Sequence, residues 1–250
     1  MGKIPKKLIN DSIVDAVFEV RFESSEQVTA PNLIVGYLAG NSDWKSRVKA
    51  KLPVSDIPDQ FRMSDPNLRH QATLELADPE SNQSIKLGEA VASTSRQGEY
   101  PGWGTMVRDI SEMLEHSFKA LEDFRVVRVG MRYINVLVPD IHFIDDVHSL
   151  NFELQVGGTK LEDELNINFK RDIGSTTHTV RIASKAFVKA MNPESGVALI
   201  DIDSWSVDPK DIETPSSILN WAEKAHIQEK EIFFSLIPEA VLTDIVKEWS

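Results

Sequence analysis

The sequence predicts an α+β protein, with an antiparallel sheet and long helices that pack on one face of it. In residues 14–22 and again in residues 125–138, apolar and charged side chains alternate, as they do in a strand with one buried face. Residues 104–121 and 214–235 carry apolar side chains at helical spacing. Strands with one charged face, together with amphipathic helices, are typical of a sheet covered on one side only.

The first part of the chain is predicted to begin with the strand around residues 14–22 and a short helix at 31–39, which starts at the favoured first-turn proline Pro31. Residues 40–68 show neither the helical nor the strand periodicity of apolar residues, and we expect a mobile or ligand-covering connection there. Two strands are then predicted at 69–77 and 84–96, joined by a turn at 78–82.

A glycine-rich segment, residues 97–104, precedes the clearest helix of the chain. Thr105 is predicted to cap that helix, and Tyr100 and Trp103 are expected to pack over its end. The glycine spacing matches neither the dinucleotide-binding fingerprint nor the P-loop, and no lysine stands at the start of the following helix. We therefore do not assign a phosphate site to this segment.

The second part of the chain repeats the succession of strands and a helix. After a loop at 142–149, the predicted strands are 150–156, 160–170, 175–188 and 196–206, with a two-residue turn at Gly157–Gly158. Thr214 followed by Pro215 predicts the start of the second long helix, and a last helix is expected from Pro238.

We expect the chain to form a single unit, residues 1–250. Its pattern is also compatible with two tandem similar halves, residues 1–123 and 124–250. If Arg21 is aligned with Arg132, the start of the following long helix lies 83 positions later in one half and 82 in the other.

Composition limits the classes of function. The net charge is −12, and residues 139–250 carry 20 acidic but only 10 basic side chains, which disfavours nucleic acid as a partner. The basic cluster at Lys45, Arg47, Lys49 and Lys51 is interpreted as a solvated helix end or loop. The sequence has no cysteine and no apolar run of membrane-spanning length, and because no apolar stretch follows the basic start, we do not expect a secretory signal. We expect a cytoplasmic protein without membrane contact.

The candidate binding site is the polar face of the predicted sheet. Guanidinium groups on neighbouring strands could bind carboxylate or phosphate in a two-pronged manner, although cross-strand ion pairs on a solvated face are an equally simple interpretation. Aliphatic side chains predicted on the same face (Ile13, Val17, Ile134, Val136 and Leu199, with Trp205) favour a partner surface or groove. The predicted binding residues are Glu19, Arg21, Arg128, Arg132, Arg181, Asp201 and Asp203.

No catalytic residue, metal site or cofactor is predicted. His142 and His148 flank two aspartates, but their spacing matches no known metal motif and loops use such residues for turns. His226 is expected to be a partly buried, hydrogen-bonded histidine rather than a base. His70 and His178 lie in strand-like runs without an evident partner.

The segments 13–22 (IVDAVFEVRF) and 129–135 (VGMRYIN), with Ala225–His226 and Phe233–Phe234, resemble a sporadically distributed prokaryotic family of cytoplasmic proteins of about this length. The family has no assigned activity. The resemblance spans nearly the whole chain and implies a single unit of microbial origin, and no catalytic residues come with it.

The functional prediction is a non-enzymatic binding protein whose charged sheet face engages a protein partner, a second copy of itself or a small anion. The alternative is an enzyme acting on a phosphorylated or nucleotide-like substrate, with the 40–68 connection as a lid. The sporadic occurrence implied by the resemblance also suggests a component of a mobile genetic or defence locus.

Overall fold

The computed structural model describes residues 4–25, 29–40, 47–185 and 196–249. Within these ranges the chain forms a nine-stranded antiparallel sheet and six helices. The predicted α+β class and antiparallel sheet are confirmed. No helix in the described part of the chain combines the length and the apolar character needed to span a membrane.

The elements follow one another with mostly short connections. The helices are α1 (Ala30–Gly40), α2 (Asp59–Ser64), α3 (Trp103–Ala120), α4 (Pro139–His142), α5 (Pro215–Leu236) and α6 (Glu239–Ile245). The strands are β1 (Pro5–Leu8), β2 (Ile13–Glu23), β3 (Val48–Lys51), β4 (Leu74–Asp78), β5 (Gln83–Gly88), β6 (Val91–Gln97), β7 (Arg125–Leu137), β8 (Gln155–Val156), β9 (Thr159–Lys160), β10 (Asn166–Ile173), β11 (Thr176–Ser184), β12 (Ala198–Ser206) and β13 (Val246–Trp249).

The large sheet has the strand order β10-β11-β12-β7-β2-β6-β5-β4-β3, while β1 pairs with β13 and β8 pairs with β9 outside it. The two runs with alternating charge, β2 and β7, are therefore neighbours at its centre. Arg21 lies opposite Arg128 and Val17 lies opposite Arg132. Since directly paired residues of an antiparallel sheet point to the same side, these four side chains share one face.

The other face of β2 and β7 is buried under helices. Phe18 and Met131 belong to a core cluster that also contains Ile34 of α1, Ile110 of α3 and Ala222 of α5. This burial follows from the alternation in the strands and from the helical spacing of the apolar residues in α3 and α5. A second cluster joins β11 and β12 to the end of α5 and to α6.

The start of α5 agrees with its sequence signal. The Thr214 side chain accepts a hydrogen bond from the Ser217 backbone N–H, and the Ser217 side chain accepts one from the Thr214 backbone N–H. Pro215 occupies the first helical position, where no N–H is needed. This reciprocal cap fixes the register of the helix that carries His226 and Glu229.

A β-bulge corrects the predicted faces at the start of β2. The pairing with β7 shifts register between Ile13 and Asp15, so that the alternation changes phase there. Ile13, predicted on the polar face, packs against the helix-side core. Val14, predicted in that core, instead clusters with Val136 and Val138, next to Ile134 and Leu199.

Several predicted strand boundaries were wrong. Residues 84–96 form two strands of a hairpin rather than one, and 69–73 precede β4 instead of belonging to it. Of the predicted strand 150–156 only β8 is extended, and residues 186–188 of another predicted strand lie outside the described residues. The turn at Gly157–Gly158 is confirmed, since both residues have the positive φ (60° and 81°) that a two-residue hairpin demands.

Two further predictions need correction. Helix α3 begins at Trp103 after Gly102, whose φ of 91° favours glycine, so that Thr105 lies in the first turn and is not the cap. The region 40–68 contains β3, a 3-10 turn at Pro53–Asp56 and α2. Lys49 and Lys51 are exposed as predicted, but on the edge strand β3 rather than on a helix end or loop. The Arg47 side chain is only 9% exposed and donates to Gln83 at 2.7 Å, and Lys45 lies outside the described residues.

Candidate functional site

The seven predicted binding residues lie on one face of four adjacent strands. Arg132 pairs with Asp203 and Asp201 pairs with Arg181 across the sheet, which extends the face set by Arg21 and Arg128. Residues two apart on a strand point to the same side. The sheet face thus consists of Glu19 and Arg21 on β2, Arg128 and Arg132 on β7, Asp201 and Asp203 on β12, and Arg181 on β11.

Two arginines of the sheet face already hold a carboxylate. The Arg132 Nε and Nη2 atoms donate to the two oxygens of Asp201 at 2.7 and 2.6 Å, and this hydrogen bonding raises the pKa of Arg132. Arg21 Nε donates to Glu19 at 2.7 Å. In the Arg132–Asp201 pair, the Asp201 side chain is buried (8% exposed), whereas the Arg132 side chain is 46% exposed and remains accessible to solvent.

Arg128 is held differently. Its guanidinium carbon lies 4.8 Å from the ring centroid of Trp205, in a cation–π contact. Its Nε is buried and has no hydrogen-bond partner among the described residues. Burial lowers the pKa of Arg128, and the positive charge of Arg21 lowers it further. Arg128 is therefore the cation of the sheet face whose surroundings least satisfy it.

Acidic side chains beside these arginines are also partly withdrawn from water. Burial raises the pKa of Asp203, while Arg128 and Arg132 act in the opposite direction. Burial likewise raises the pKa of Asp15 on β2. The centre of the sheet face is thus less hydrated than an ordinary open strand surface, which strengthens electrostatic interactions there.

A second site, which sequence reasoning missed, is a cavity of about 560 Å³ on the helix side of the sheet. Residues from β1, the glycine-rich turn before α3, β7 and α5 line it. Tyr100 and Trp103 enter it from the start of α3, and His226 and Glu229 enter it from α5.

An aromatic network forms one wall of this cavity. The Tyr133 hydroxyl lies 3.1 Å from the Tyr100 hydroxyl and 3.3 Å from Nδ1 of His226. The Trp103 ring stacks on His226 at a centroid distance of 4.2 Å, and its indole N–H donates to Glu223 at 2.6 Å. The expectation that His226 is partly buried and hydrogen-bonded is confirmed. Tyr100 and Trp103 contact β7 and α5 rather than simply closing the end of α3.

Burial controls protonation in this wall. It lowers the pKa of His226 to about 3, with Lys230 adding to the effect, so the imidazole is neutral at physiological pH. Burial also raises the pKa of Tyr133 and of Tyr100. With neutral His226 accepting at Nδ1, one chain of hydrogen bonds can run from Tyr100 through Tyr133 to His226.

Glu229 is a buried carboxyl group at the cavity. It is 2% exposed, and burial raises its pKa well above the ordinary value. The Ser204 hydroxyl donates to its Oε1, and Ser204 in turn contacts Nδ1 of His178 at 2.7 Å. The Oε2 atom of Glu229 is buried and has no hydrogen-bond partner among the described residues.

Four of the other five histidines have hydrogen-bond partners, whereas Nδ1 of His116 on α3 is buried and has none among the described residues. His178, for which the sequence indicated no partner, also contacts Gln228 at 3.1 Å, and His70 Nδ1 lies 3.3 Å from the Ala90 carbonyl. His142 Nδ1 accepts from the Val138 N–H at 2.9 Å, and His148 Nε2 lies 2.9 Å from the Asp163 carbonyl. Across the described ranges, no three His, Asp or Glu side chains converge in a way that could hold a metal ion.

A second depression, of about 730 Å³, lies at the opposite end of β2 and β7. Four of the five charged side chains that line it are already paired: Glu23 with Arg69 and Arg125, and Asp123 with Ser24 and the Ser25 backbone. We therefore place no site there.

Comparison of the chain with protein-family models and with curated protein sequences finds no match. The resemblance carried by the segments 13–22 and 129–135 therefore stays a prediction.

Proposed function

We propose that this chain is a non-catalytic binding protein whose sheet face engages a protein partner. The partner presents an acidic side chain to Arg21 and Arg128, and an apolar group to the aliphatic residues of the same face, Ile134 and Leu199. The observation that carries the proposal is that these two arginines lie directly opposite one another on β2 and β7. In addition, the buried Nε of Arg128 has no hydrogen-bond partner among the described residues.

Two like charges directly opposite one another on a sheet repel, so their juxtaposition costs stability. A carboxylate placed between two guanidinium groups removes that cost and forms charge-assisted hydrogen bonds. For Arg21 this carboxylate is Glu19, which accepts a hydrogen bond from Arg21 Nε. Arg128 stacks on Trp205 instead, and its buried Nε has no hydrogen-bond partner among the described residues, so this guanidinium group still lacks an acceptor.

The apolar part of the sheet face supports a protein rather than a small anion as the occupant. Ile134 on β7 and Leu199 on β12 are half-buried on this face and pack on the buried side chains of Val14, Val136 and Val138. A recognition surface commonly joins such an apolar centre to charged groups that set orientation. An inorganic anion would use the arginines alone.

The architecture in this proposal has two similar halves, with the long helices α3 and α5 covering one face of the sheet. Supporting it, β2 and β7 adjoin at the centre, and each is flanked by the last strand before the long helix of its half, β6 and β12. A cytoplasmic location, suggested by the missing cysteines, belongs to the same proposal.

The test begins with the protein captured by this chain from a lysate of the cells that make it. The captured protein is purified and titrated calorimetrically against the wild type, against Arg21→Gln/Arg128→Gln, and against the control Arg108→Gln/Arg171→Gln, whose sites are exposed. Loss of two charge-assisted contacts predicts binding weaker by about 100-fold or more for the first variant. The control is expected to bind like the wild type.

Equal binding by both double variants would refute the proposal. If the captured protein is a second copy of this chain, or if inorganic phosphate binds to the wild type and not to Arg21→Gln/Arg128→Gln, the occupant proposed here is wrong. Circular dichroism of each variant establishes that the fold is retained.

The alternative is an enzyme acting on a phosphorylated or nucleotide-like substrate. Such an enzyme needs a cavity beside the arginines, and the two cavities described above are lined by other residues. An ordered phosphate or metal ion beside Arg128 or Asp201 in a crystal structure would favour the enzyme over the binding protein.

A further inference from the structure

The cavity between the start of α3 and α5 has the dimensions of a small-molecule site. Its volume of about 560 Å³ lies within the range of roughly 300–1,000 Å³ found for ligand pockets. It is separate from the sheet face, because α5 and the glycine-rich turn lie on the helix side of the sheet.

Most of the wall is apolar or aromatic. Trp103, Ile202, Phe233 and Phe234 contribute to it, and the Trp103 ring is fixed by its stacking on His226 and by its hydrogen bond to Glu223. A wall whose side chains are already held in place loses little entropy when a ligand binds. This part of the cavity suits the apolar body of an organic molecule.

Several neutral side-chain donors around the cavity are already used within the protein. Ser12 Oγ donates to Asn135 Oδ1 at 2.8 Å, and Asn135 Nδ2 donates to the Ile200 carbonyl at 3.3 Å. Ser204 donates to Glu229, and Tyr133 bridges Tyr100 and His226. Apart from the lysines that line the cavity, a ligand therefore meets few free side-chain donors here.

One buried acceptor is left over. Glu229 lines the cavity, is 2% exposed, and keeps Oε2 without a partner among the described residues. An unsatisfied buried oxygen costs stability, which a ligand donor can recover. A positively charged donor recovers more, since it also favours the ionised form of a carboxyl group whose pKa burial raises.

We propose that this cavity binds a small organic amine, whose ammonium group donates to Glu229 and whose apolar body lies against Trp103 and Phe233. A bound ammonium group favours the ionised form of Glu229, against the burial that raises its pKa. The rim does not select for charge by itself, because it carries three acidic and three basic side chains: Asp11, Glu223 and Glu248, and Lys6, Lys7 and Lys230.

The experiment uses 2-phenylethylamine as the probe and 3-phenylpropionate as its matched anion, each titrated by ligand-observed NMR. Two variants test the site. Glu229→Gln replaces the free acceptor by an amide, and Gly104→Leu fills the cavity, since a Cβ at Gly104 meets open space. The matched control is Gly36→Leu, at an exposed helical glycine of α1 that also has open space around it.

We expect saturable binding of the amine with a Kd of roughly 1 mM, as befits so small a ligand. Binding of 3-phenylpropionate, and binding of the amine to Glu229→Gln or Gly104→Leu, is expected to be at least tenfold weaker. Gly36→Leu and Arg21→Gln/Arg128→Gln should bind the amine like the wild type.

Three results would overturn the proposal: no saturable binding of the amine, equal binding of the anion, or unchanged binding by Glu229→Gln. Loss of amine binding in Gly104→Leu but not in Glu229→Gln would keep the cavity as the amine's site and refute Glu229 as its contact. If Glu229→Gln fails to fold, the comparison of amine with anion in the wild type and in Gly104→Leu decides the matter.

Discussion

The hydrogen-bond chain through Tyr133 gives a quantitative prediction of stability. Tyr133→Phe removes the hydroxyl that contacts both Tyr100 and His226, at 3.1 and 3.3 Å, from a side chain that is 4% exposed. With each hydrogen bond worth about 1 kcal/mol net, the free energy of unfolding should fall by about 2 kcal/mol. Tyr100→Phe breaks only the first contact and should cost about 1 kcal/mol.

The double variant Tyr100→Phe/Tyr133→Phe distinguishes a connected chain from two independent contacts. The Tyr100–Tyr133 hydrogen bond is lost in either single variant, so the double variant should cost about 2 kcal/mol, not the additive 3 kcal/mol. Urea unfolding followed by circular dichroism near neutral pH measures all three. Additive losses, or a cost of Tyr133→Phe no larger than that of Tyr100→Phe, would refute the hydrogen-bond chain.

Three further predictions concern single side chains. Because burial raises the pKa of Glu229, this group stabilises the fold most at pH values below its ordinary pKa of 4.5, and that contribution is lost as the pH rises. The free energy of unfolding of Glu229→Gln, measured in urea, should therefore rise relative to that of the wild type between acidic and neutral pH. A difference in unfolding free energy that does not change with pH would contradict this. Thr214→Ala removes the cap of α5 and should lower the free energy of unfolding by about 1 kcal/mol, seen as a Tm lower by about 2–4 °C; an unchanged Tm would show that the cap contributes nothing. Asp201→Asn weakens the two hydrogen bonds with Arg132, and because water can solvate Arg132 in the variant, the free energy of unfolding in urea should fall by only about 1–2 kcal/mol. A fall of more than about 3 kcal/mol would mean that Arg132 is not solvated in the variant.

The sheet face could be predicted from the sequence because strand alternation is a local property. Arg21 and Arg132 each follow a period of two within their own run, and the period alone assigns them to the side away from the apolar residues. That β2 and β7 are neighbours is not local. It depends on the whole strand order, and it is what brings Arg21 opposite Arg128.

The error at Ile13 and Val14 has a definite cause. A β-bulge inserts an extra residue in one strand and changes the phase of the alternation, and nothing in the composition of the run announces it. The hairpin between β5 and β6 was missed for a similar reason. Its turn at Glu89–Ala90 contains neither proline nor asparagine, and so the two strands had the appearance of one.

The cavity was out of reach because its members are far apart along the chain. Tyr100, Tyr133, His226 and Glu229 come from a loop, a strand and a helix, and each has an ordinary local explanation. The only sequence signal was the concentration of aromatic and glycine residues at 100–104, which is typical of a turn pressed against a neighbouring surface. Assigning it to a cavity requires knowing that α5 packs beside α3.

The most direct test of the proposed function is site-specific photo-cross-linking. A benzoylphenylalanine at Val17, on the sheet face opposite Arg132, should cross-link the captured partner, and one at the exposed Tyr37 on α1 should not. Cross-linking from Tyr37 and not from Val17 would place the partner on the helix side and contradict the account.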